Sequence, residues 1–234
     1  MKPSRPIEFA NPQVSLCGSA ALLFDAEGPM CLPTQERIWT LSKQVGQWDV
    51  VVDTQVGMNN LLVLFDSSKA DPEALASRLL ESWRKVEPGG PQGKLLEVGV
   101  VYGGDRGMDL GELAAHHGID PETVVKLHST PEYVVFAPST TPGFGYLFGL
   151  DPRLFTPRRK VPVVRPFGGN VTIGGGQSNL GNPRGAGGPP TFPTGWYVIG
   201  HVPEAPVPFD LSRNPPNLLD VGDRIRFRVE RIER

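Results

Sequence analysis

Residues able to do chemistry gather in four short segments of this 234-residue chain. In His128-Ser-Thr-Pro-Glu-Tyr133 an imidazole, a hydroxyl and a carboxylate fall together at the end of a helical pattern, where a histidine can be charged and oriented. The same residues also make an ordinary helix stop, with Ser129 and Glu132 turning the chain into a strand. Thr141-Pro-Gly-Phe-Gly-Tyr146 is a tight turn that sets two rings beside exposed amides, either as a pocket wall or as a β-hairpin. Ile173-Gly-Gly-Gly-Gln-Ser178 offers successive flexible amides and two polar side chains, the material of an anion nest or oxyanion hole, and equally of a simple turn. No Lys follows these glycines, so the segment is not a Walker loop. Gly195-Trp-Tyr-Val-Ile-Gly-His201 alternates as a strand, with Trp196, Val198 and Gly200 on one face and Tyr197, Ile199 and His201 on the other. His201 therefore faces either a site or solvent. HExxH, GxSxG, paired Cys/His spacing and kinase signatures are missing, so no metal site and no nucleotide site of this chain's own is expected.

These segments need elements to hold them. The first part of the chain reads as short strands alternating with two helices. An apolar strand spans Ala20 to Phe24, and Pro33-Thr34 opens a helix with Ile38, Leu41, Val45 and Trp48 on one face. Strands follow at Val50 to Asp53 and Leu61 to Phe65, and Asp71-Pro72 caps a helix carrying Leu75, Leu79 and Trp83. Glu87-Pro-Gly-Gly-Pro-Gln-Gly93 continues neither helix nor strand, which divides the chain into a small α+β domain over 1–92 and a second domain over 93–234. The second domain begins with a strand at Leu95 to Tyr102 and helices near Asp109 to His117 and Asp120 to His128. Asp109 and Glu112 have capping-box spacing, and Gly118 suits a left-handed stop. Strands then recur at Tyr133 to Ala137, Val161 to Val164, Val171 to Ile173, Trp196 to Val202 and Ile225 to Val229. Long Gly/Pro loops between them favour a closed barrel over a sandwich.

Composition narrows the partners. The formal charge of −2 and the lack of a long basic run argue against nucleic acid, and no stretch approaches the roughly 18 apolar residues of a membrane span. Cys17 and Cys31 make no disulfide framework and read as buried small hydrophobes in a reducing compartment, hence a cytoplasmic location. The 28 Gly and 25 Pro concentrate between Pro138 and Pro216, yet Phe144, Tyr146, Phe148, Phe167, Phe192, Trp196 and Tyr197 interrupt them, which argues for folding.

Taken in order, His128-Ser-Thr-Pro-Glu-Tyr, Thr141-Pro-Gly-Phe-Gly-Tyr-Leu, Leu150-Asp-Pro-Arg-Leu with Thr156-Pro-Arg, Ile173-Gly-Gly-Gly-Gln-Ser, Gly195-Trp-Tyr-Val-Ile-Gly and Gly222-Asp-Arg-Ile-Arg-Phe resemble the family of allophanate hydrolase subunit 1 and the 5-oxoprolinase B-subunit, a carboxyltransferase subdomain C/D family. The clear likeness covers about residues 98–230. It implies a cyclophilin-like β-barrel in the second domain and a larger carboxyltransferase-like partner subunit. The activity it implies is ATP-dependent opening of the 5-oxoproline lactam to glutamate, with ATP entering through the partner complex and no cofactor held by this chain alone. Alternatives within the same resemblance are a regulatory binding protein like a sensor-kinase inhibitor, and the carboxyltransferase half of a urea carboxylase or allophanate hydrolase system. The expected site takes His128, Gln177 and Ser178 as catalytic, with Glu132, Phe144, Arg158, Gly175, Gly176, Trp196 and His201 binding substrate.

The chain departs from the family pattern around that site. Ser139-Thr140 replace a usual Gly-Phe, Arg165-Pro-Phe-Gly-Gly-Asn170 replaces Pro-Ala-Gly-Ser, and Ser178 replaces a threonine. Asn179 to Pro190 forms a glycine-rich insert, and Gly200-His-Val-Pro203 stands for Gly-Arg-Thr-Pro. If that arginine holds a substrate carboxylate, His201 does so only when protonated. The member is divergent, with its changes gathered where a ligand would sit.

Overall fold

A computed structural model describes residues 8–91, 93–139, 142–183 and 190–234. Thr140, Thr141 and positions 184–189 of the glycine-rich insert lie outside the described residues. The chain forms two compact units, the first ending at Pro91.

The first unit is an antiparallel four-stranded sheet with two helices. Its elements are β1 (Gln13–Cys17), β2 (Ala21–Asp25), α1 (Leu32–Val45), β3 (Val51–Val56), β4 (Asn60–Phe65) and α2 (Pro72–Lys85), and the strand order is β1, β2, β4, β3. The helical rhythm seen in the sequence is what buries each helix: Ile38, Leu41 and Val45 of α1 and Leu75, Leu79 and Trp83 of α2 are enclosed against Phe24, Leu61, Val63 and Phe65 of the sheet. The side chain of Asp71 caps α2, accepting from the Ala74 amide at 3.1 Å. Helix α1 starts one residue before Pro33, and Trp48 falls in the turn beyond its end. The cysteines correct an expectation. Cys17 ends the edge strand β1 and is exposed, while Cys31 flanks α1 half-buried with its Sγ 3.2 Å from Thr34 Oγ1. Neither position packs into a core, because a sheet edge and a helix entry both face water.

The second unit is the barrel. It comprises β5 (Leu95–Gly103), α3 (Leu110–His117), α4 (Pro121–Ser129), β6 (Tyr133–Pro138), β7 (Gly145–Phe148), β8 (Val163–Pro166), β9 (Asn170–Gly174), β10 (Gln177–Leu180), β11 (Thr191–Thr194), β12 (Tyr197–His201) and β13 (Arg224–Glu233). Seven strands close in the order β10, β7, β6, β13, β5, β12, β9, while β8 and β11 form a separate two-stranded ribbon. Closure leaves no open sheet edge around the ring. Its interior is filled by Val98, Val100, Tyr102, Tyr133, Val135, Leu147, Ile173, Ile199 and Phe227, all buried. The architecture is therefore an α+β unit followed by a β-barrel unit, as the sequence led one to expect.

One local reading is settled and another changes. Of the two readings of the 141–146 segment, its described residues fit the β-hairpin, since β7 pairs antiparallel with β6 and Phe144 is buried beside it. In β12 a register shift between Val198 and Gly200 breaks the simple alternation, so His201 ends the strand half-buried.

Candidate functional site

The triple-glycine segment is a hairpin. Gln177 pairs with Gly174 across β9 and β10, which leaves Gly175 and Gly176 as the two turn residues. Gly175 has φ +63°, the left-handed geometry that a tight two-residue hairpin favours. Its amide does not wait for an anion: it donates to Thr156 O at 2.7 Å, and the Thr156 amide donates back to Gly175 O at 2.9 Å. The simple-turn reading of this segment thus takes one amide away from the expected nest. A Cβ on Gly174 would lie 2.5 Å from the Trp196 indole and one on Gly176 would lie 3.1 Å from the Phe155 ring, so both glycines let aromatic rings close on the backbone.

Behind the turn, β10 carries Ser178 into the barrel. Its Oγ lies 2.7 Å from His128 Nε2, and His128 Nδ1 lies 2.8 Å from Tyr102 Oη. Helix α4 positions the imidazole, β5 the phenol and β10 the hydroxyl. Tyr133 Oη donates to His128 O at 2.8 Å, and the Phe227 ring centroid is 4.9 Å from that of His128. A neutral imidazole has one N–H, so one hydroxyl donates to the ring and the other accepts. Burial lowers the His128 pKa to about 3 and pushes both tyrosine phenols well above their usual range. His128 and Ser178 thus meet as expected, but within the core, at 0% and 1% exposure. A general base works best with a pKa near the working pH, and a nucleophile must reach its substrate. This pair has neither property in the described conformation.

What the turn presents outward is an aromatic and cationic surface. The exposed Arg158 holds its guanidinium carbon 4.7 Å from the Trp196 ring centroid. The neighbouring Arg159 has a different task. It stacks on Tyr197 at 3.9 Å, donates to Asp109 at 3.2 Å and pairs with Glu112. Arg165 also pairs with Asp109, donating from Nε at 3.0 Å, and the Val198 amide donates to the same carboxylate at 2.8 Å. The capping-box expectation for Asp109 accordingly fails. Its side chain makes no cap bond, because two arginines and a strand amide take the carboxylate while its 1% exposure leaves no water to compete. Gly118 does close α3 in the left-handed conformation, at φ +66°. On the last turn of α3, His117 Nε2 lies 2.8 Å from Thr156 Oγ1, whose hydroxyl donates to Leu154 O at 2.8 Å. The single hydroxyl proton being used there, His117 Nε2 is the donor. Tyr102, Asp109, Thr156 and His117 were not among the expected site residues. Asp109 was read only as a helix cap, and nothing in the spacing of Arg159 and Arg165 joins them to it.

The other expected residues lie elsewhere. Glu132 accepts from Arg224 at 3.0 Å and from Arg226 at 2.9 Å on the barrel surface. Phe144 lines a concavity of about 160 Å³ with Val135, Pro142 and Leu219. His201 is half-buried, and its Nδ1 is enclosed without a hydrogen-bond partner among the described residues. Burial lowers its pKa and the charge of Arg106 adds to this, which disfavours the protonated form that holding a carboxylate would require of His201. Among the described residues no group of three or more His, Cys, Asp or Glu is placed to hold a metal ion, and no helix is long and apolar enough to cross a membrane.

The family described as carboxyltransferase domain, subdomain C and D, matches residues 12–219. The chain is 39% identical over 216 residues to the 5-oxoprolinase B-subunit of Escherichia coli O157:H7, covering 91% of this chain and 93% of that protein. It is 35% identical over 214 residues to the 5-oxoprolinase B-subunit of Haemophilus influenzae, covering 92% and 96%. Among solved structures, the urea amidolyase of Kluyveromyces lactis shares the fold with a TM-score of 0.72 at 19% identity, over 93% of this chain and 15% of that one.

Proposed function

The chain belongs to the carboxyltransferase subdomain C and D family, and on that premise we propose that it is the B-type subunit of an ATP-dependent 5-oxoprolinase. The observation that carries this reading is its near full-length identity to proteins named as the B-type component of 5-oxoprolinase. The substrate is 5-oxoproline, a lactam whose carbonyl is stabilised by amide resonance. Such a carbonyl needs activation, as by phosphoryl transfer from ATP, before water can open the ring to glutamate. ATP and the activating step belong to the larger carboxyltransferase-like partner. This chain binds the lactam, orients it and excludes water where the two subunits meet.

Within that role the residues divide. Arg158, pre-oriented on Trp196, pairs with the substrate carboxylate, and Trp196 offers its ring to the lactam. Gly175 and Gly176 keep the turn low enough for the substrate to approach. His128 and Ser178 act as positioning residues, fixing the strand on which the turn rests rather than attacking the substrate. Their sealing within the core also favours a second reading, a purely binding protein that grips a sensor kinase.

The test is to co-express the chain with the large carboxyltransferase-like subunit and measure ATP hydrolysis that depends on 5-oxoproline. A stable complex with turnover is expected, in which Arg158→Ala raises KM for 5-oxoproline by roughly tenfold or more with a smaller change in kcat. No complex and no turnover, with recovery of a sensor kinase instead, would replace this reading with the second.

A further inference from the structure

Two adjacent arginines beside the candidate substrate surface face opposite ways. Arg158 is exposed over the Trp196 ring, whereas the side chain of Arg159 is only 10% exposed. Arg159 ties the segment that bears Arg158 to the segment that bears Trp196. Its amide donates to Gly195 O at 2.8 Å, and its guanidinium donates from Nη1 to Trp196 O at 3.2 Å. The two backbones are close: a Cβ on Gly195 would lie 3.2 Å from Arg159 O. From Nη2 the same guanidinium reaches Asp109 at 3.2 Å and pairs with Glu112, and its carbon is 3.9 Å from the Tyr197 ring centroid. Asp109 fixes the same strand from behind. Its carboxylate accepts from the Val198 amide at 2.8 Å, and its own amide donates to Val198 O at 2.9 Å.

A buried ion pair is a poor source of net stability, because desolvation of the two charges offsets most of their attraction. What an arginine supplies in such a place is geometry. Its planar fork holds several donors in fixed directions, so one side chain spans a backbone carbonyl and a carboxylate at once. Arg158 stands to gain from that. An exposed arginine loses rotamer freedom when it pairs with a ligand, and it loses less where its backbone and the ring beneath it are already set. On the reading given under Proposed function, in which Arg158 pairs with the 5-oxoproline carboxylate, we infer that Arg159 is a positioning residue for that pairing. Anchored on Asp109, it holds Arg158 on the Trp196 ring and does not itself touch the substrate. Lysine at position 159 keeps the charge but lacks the fork that joins Trp196 O to Asp109.

The experiment is a double-mutant cycle of Arg158→Ala and Arg159→Lys in the complex with the large subunit, read by ATP hydrolysis that depends on 5-oxoproline. Arg159→Lys alone is expected to raise KM for 5-oxoproline about fivefold while kcat stays within about twofold of the wild type. In the Arg158→Ala background the same substitution should raise KM no further, since the group it positions is gone. A purely structural role would instead lower the active fraction, and with it kcat, equally in both backgrounds. Glu112→Gln is the second variant. Glu112 is 57% exposed, so the change spares folding while it loosens the same guanidinium. It should raise KM about threefold, again only where Arg158 is present. Wild-type KM in Arg159→Lys, or a rise by the same factor with and without Arg158, overturns the positioning role. If Arg158→Ala alone still raises KM, the reading of the site stands. Where Arg159→Lys does not assemble with the large subunit, the same two outcomes in Glu112→Gln decide. Wild-type KM in Arg158→Ala overturns the positioning role and the site reading together.

Discussion

Enclosing an imidazole wholly within a barrel removes the water that would stabilise its charged form, and the pKa of His128 is consequently lowered to about 3. The unfolded chain protonates the same group near 6.5. Between those two values unfolding takes up a proton. The stability that His128 contributes is therefore complete above about pH 6.5 and is lost as the pH falls toward 3, at ~1.4 kcal/mol per pH unit. His117 and His201 also have lowered pKa values and act in the same direction, so the test is a difference between proteins. Denaturant unfolding between about pH 6 and pH 4.5 should show a slope steeper in the wild type than in His128→Gln by about one proton. Equal slopes would mean that His128 titrates normally in the folded protein. The sequence announced His128 and Ser178 as polar residues worth attention, but they stand 50 positions apart, and their meeting depends on barrel closure. No local pattern states whether a histidine at a helix end will point outward to a ligand or inward to a tyrosine.

Between elements, two small features tie the turn and its surroundings together. Gly175→Ala meets open space and suffers only from its positive φ, so it should cost about 1 kcal/mol and leave the surface intact. Gly174→Ala instead drives a Cβ into the Trp196 indole at 2.5 Å, and something must move. With 5-fluorotryptophan incorporated, the fluorine resonance of Trp196 should shift in Gly174→Ala and stay put in Gly175→Ala. A Trp196 resonance unmoved by both changes would show that the ring does not rest on this backbone. The second tie is Asp109, which joins α3 to Arg165 of β8, to β12 and to the Arg159 segment. Asp109→Asn leaves two arginines without their shared countercharge and should cost about 3–5 kcal/mol, read from denaturant unfolding. A loss below about 1 kcal/mol would show that water replaces the carboxylate. Helix periodicity and strand alternation were legible because they are local: α1, α2 and most barrel strands follow their patterns. Strand β10 was not, since Gln177-Ser-Asn-Leu180 lacks the β-branched residues that signal a strand, and its place is set by pairing with β9. The role of Asp109 was hidden for a related reason, its partners lying 50 and 56 positions onward.

Across the whole molecule, each unit has a core of its own. Phe24, Ile38, Leu41, Leu61, Leu79 and Trp83 form one, whereas Tyr102, Tyr133, Val135, Ile173 and Phe227 belong to another with no residue in common. A chain with separate cores need not lose them together, and opening can be confined to one unit. Leu79 is 1% exposed on α2, so Leu79→Ala leaves a cavity in the α+β core at a cost of about 2–5 kcal/mol. Native-state amide exchange should then speed up for α1, α2, β2 and β4 by a factor that follows that cost. The amides of β6, β9 and β13, which enclose the barrel core, should keep their wild-type rates. Were the barrel amides accelerated to the same degree, the two cores would be opening as one cooperative unit. The complementary change, Val135→Ala within β6, should speed exchange in the barrel and spare α1 and α2. Together the two variants separate a barrel that holds the His128 relay by its own closure from one that depends on the α+β unit for its stability.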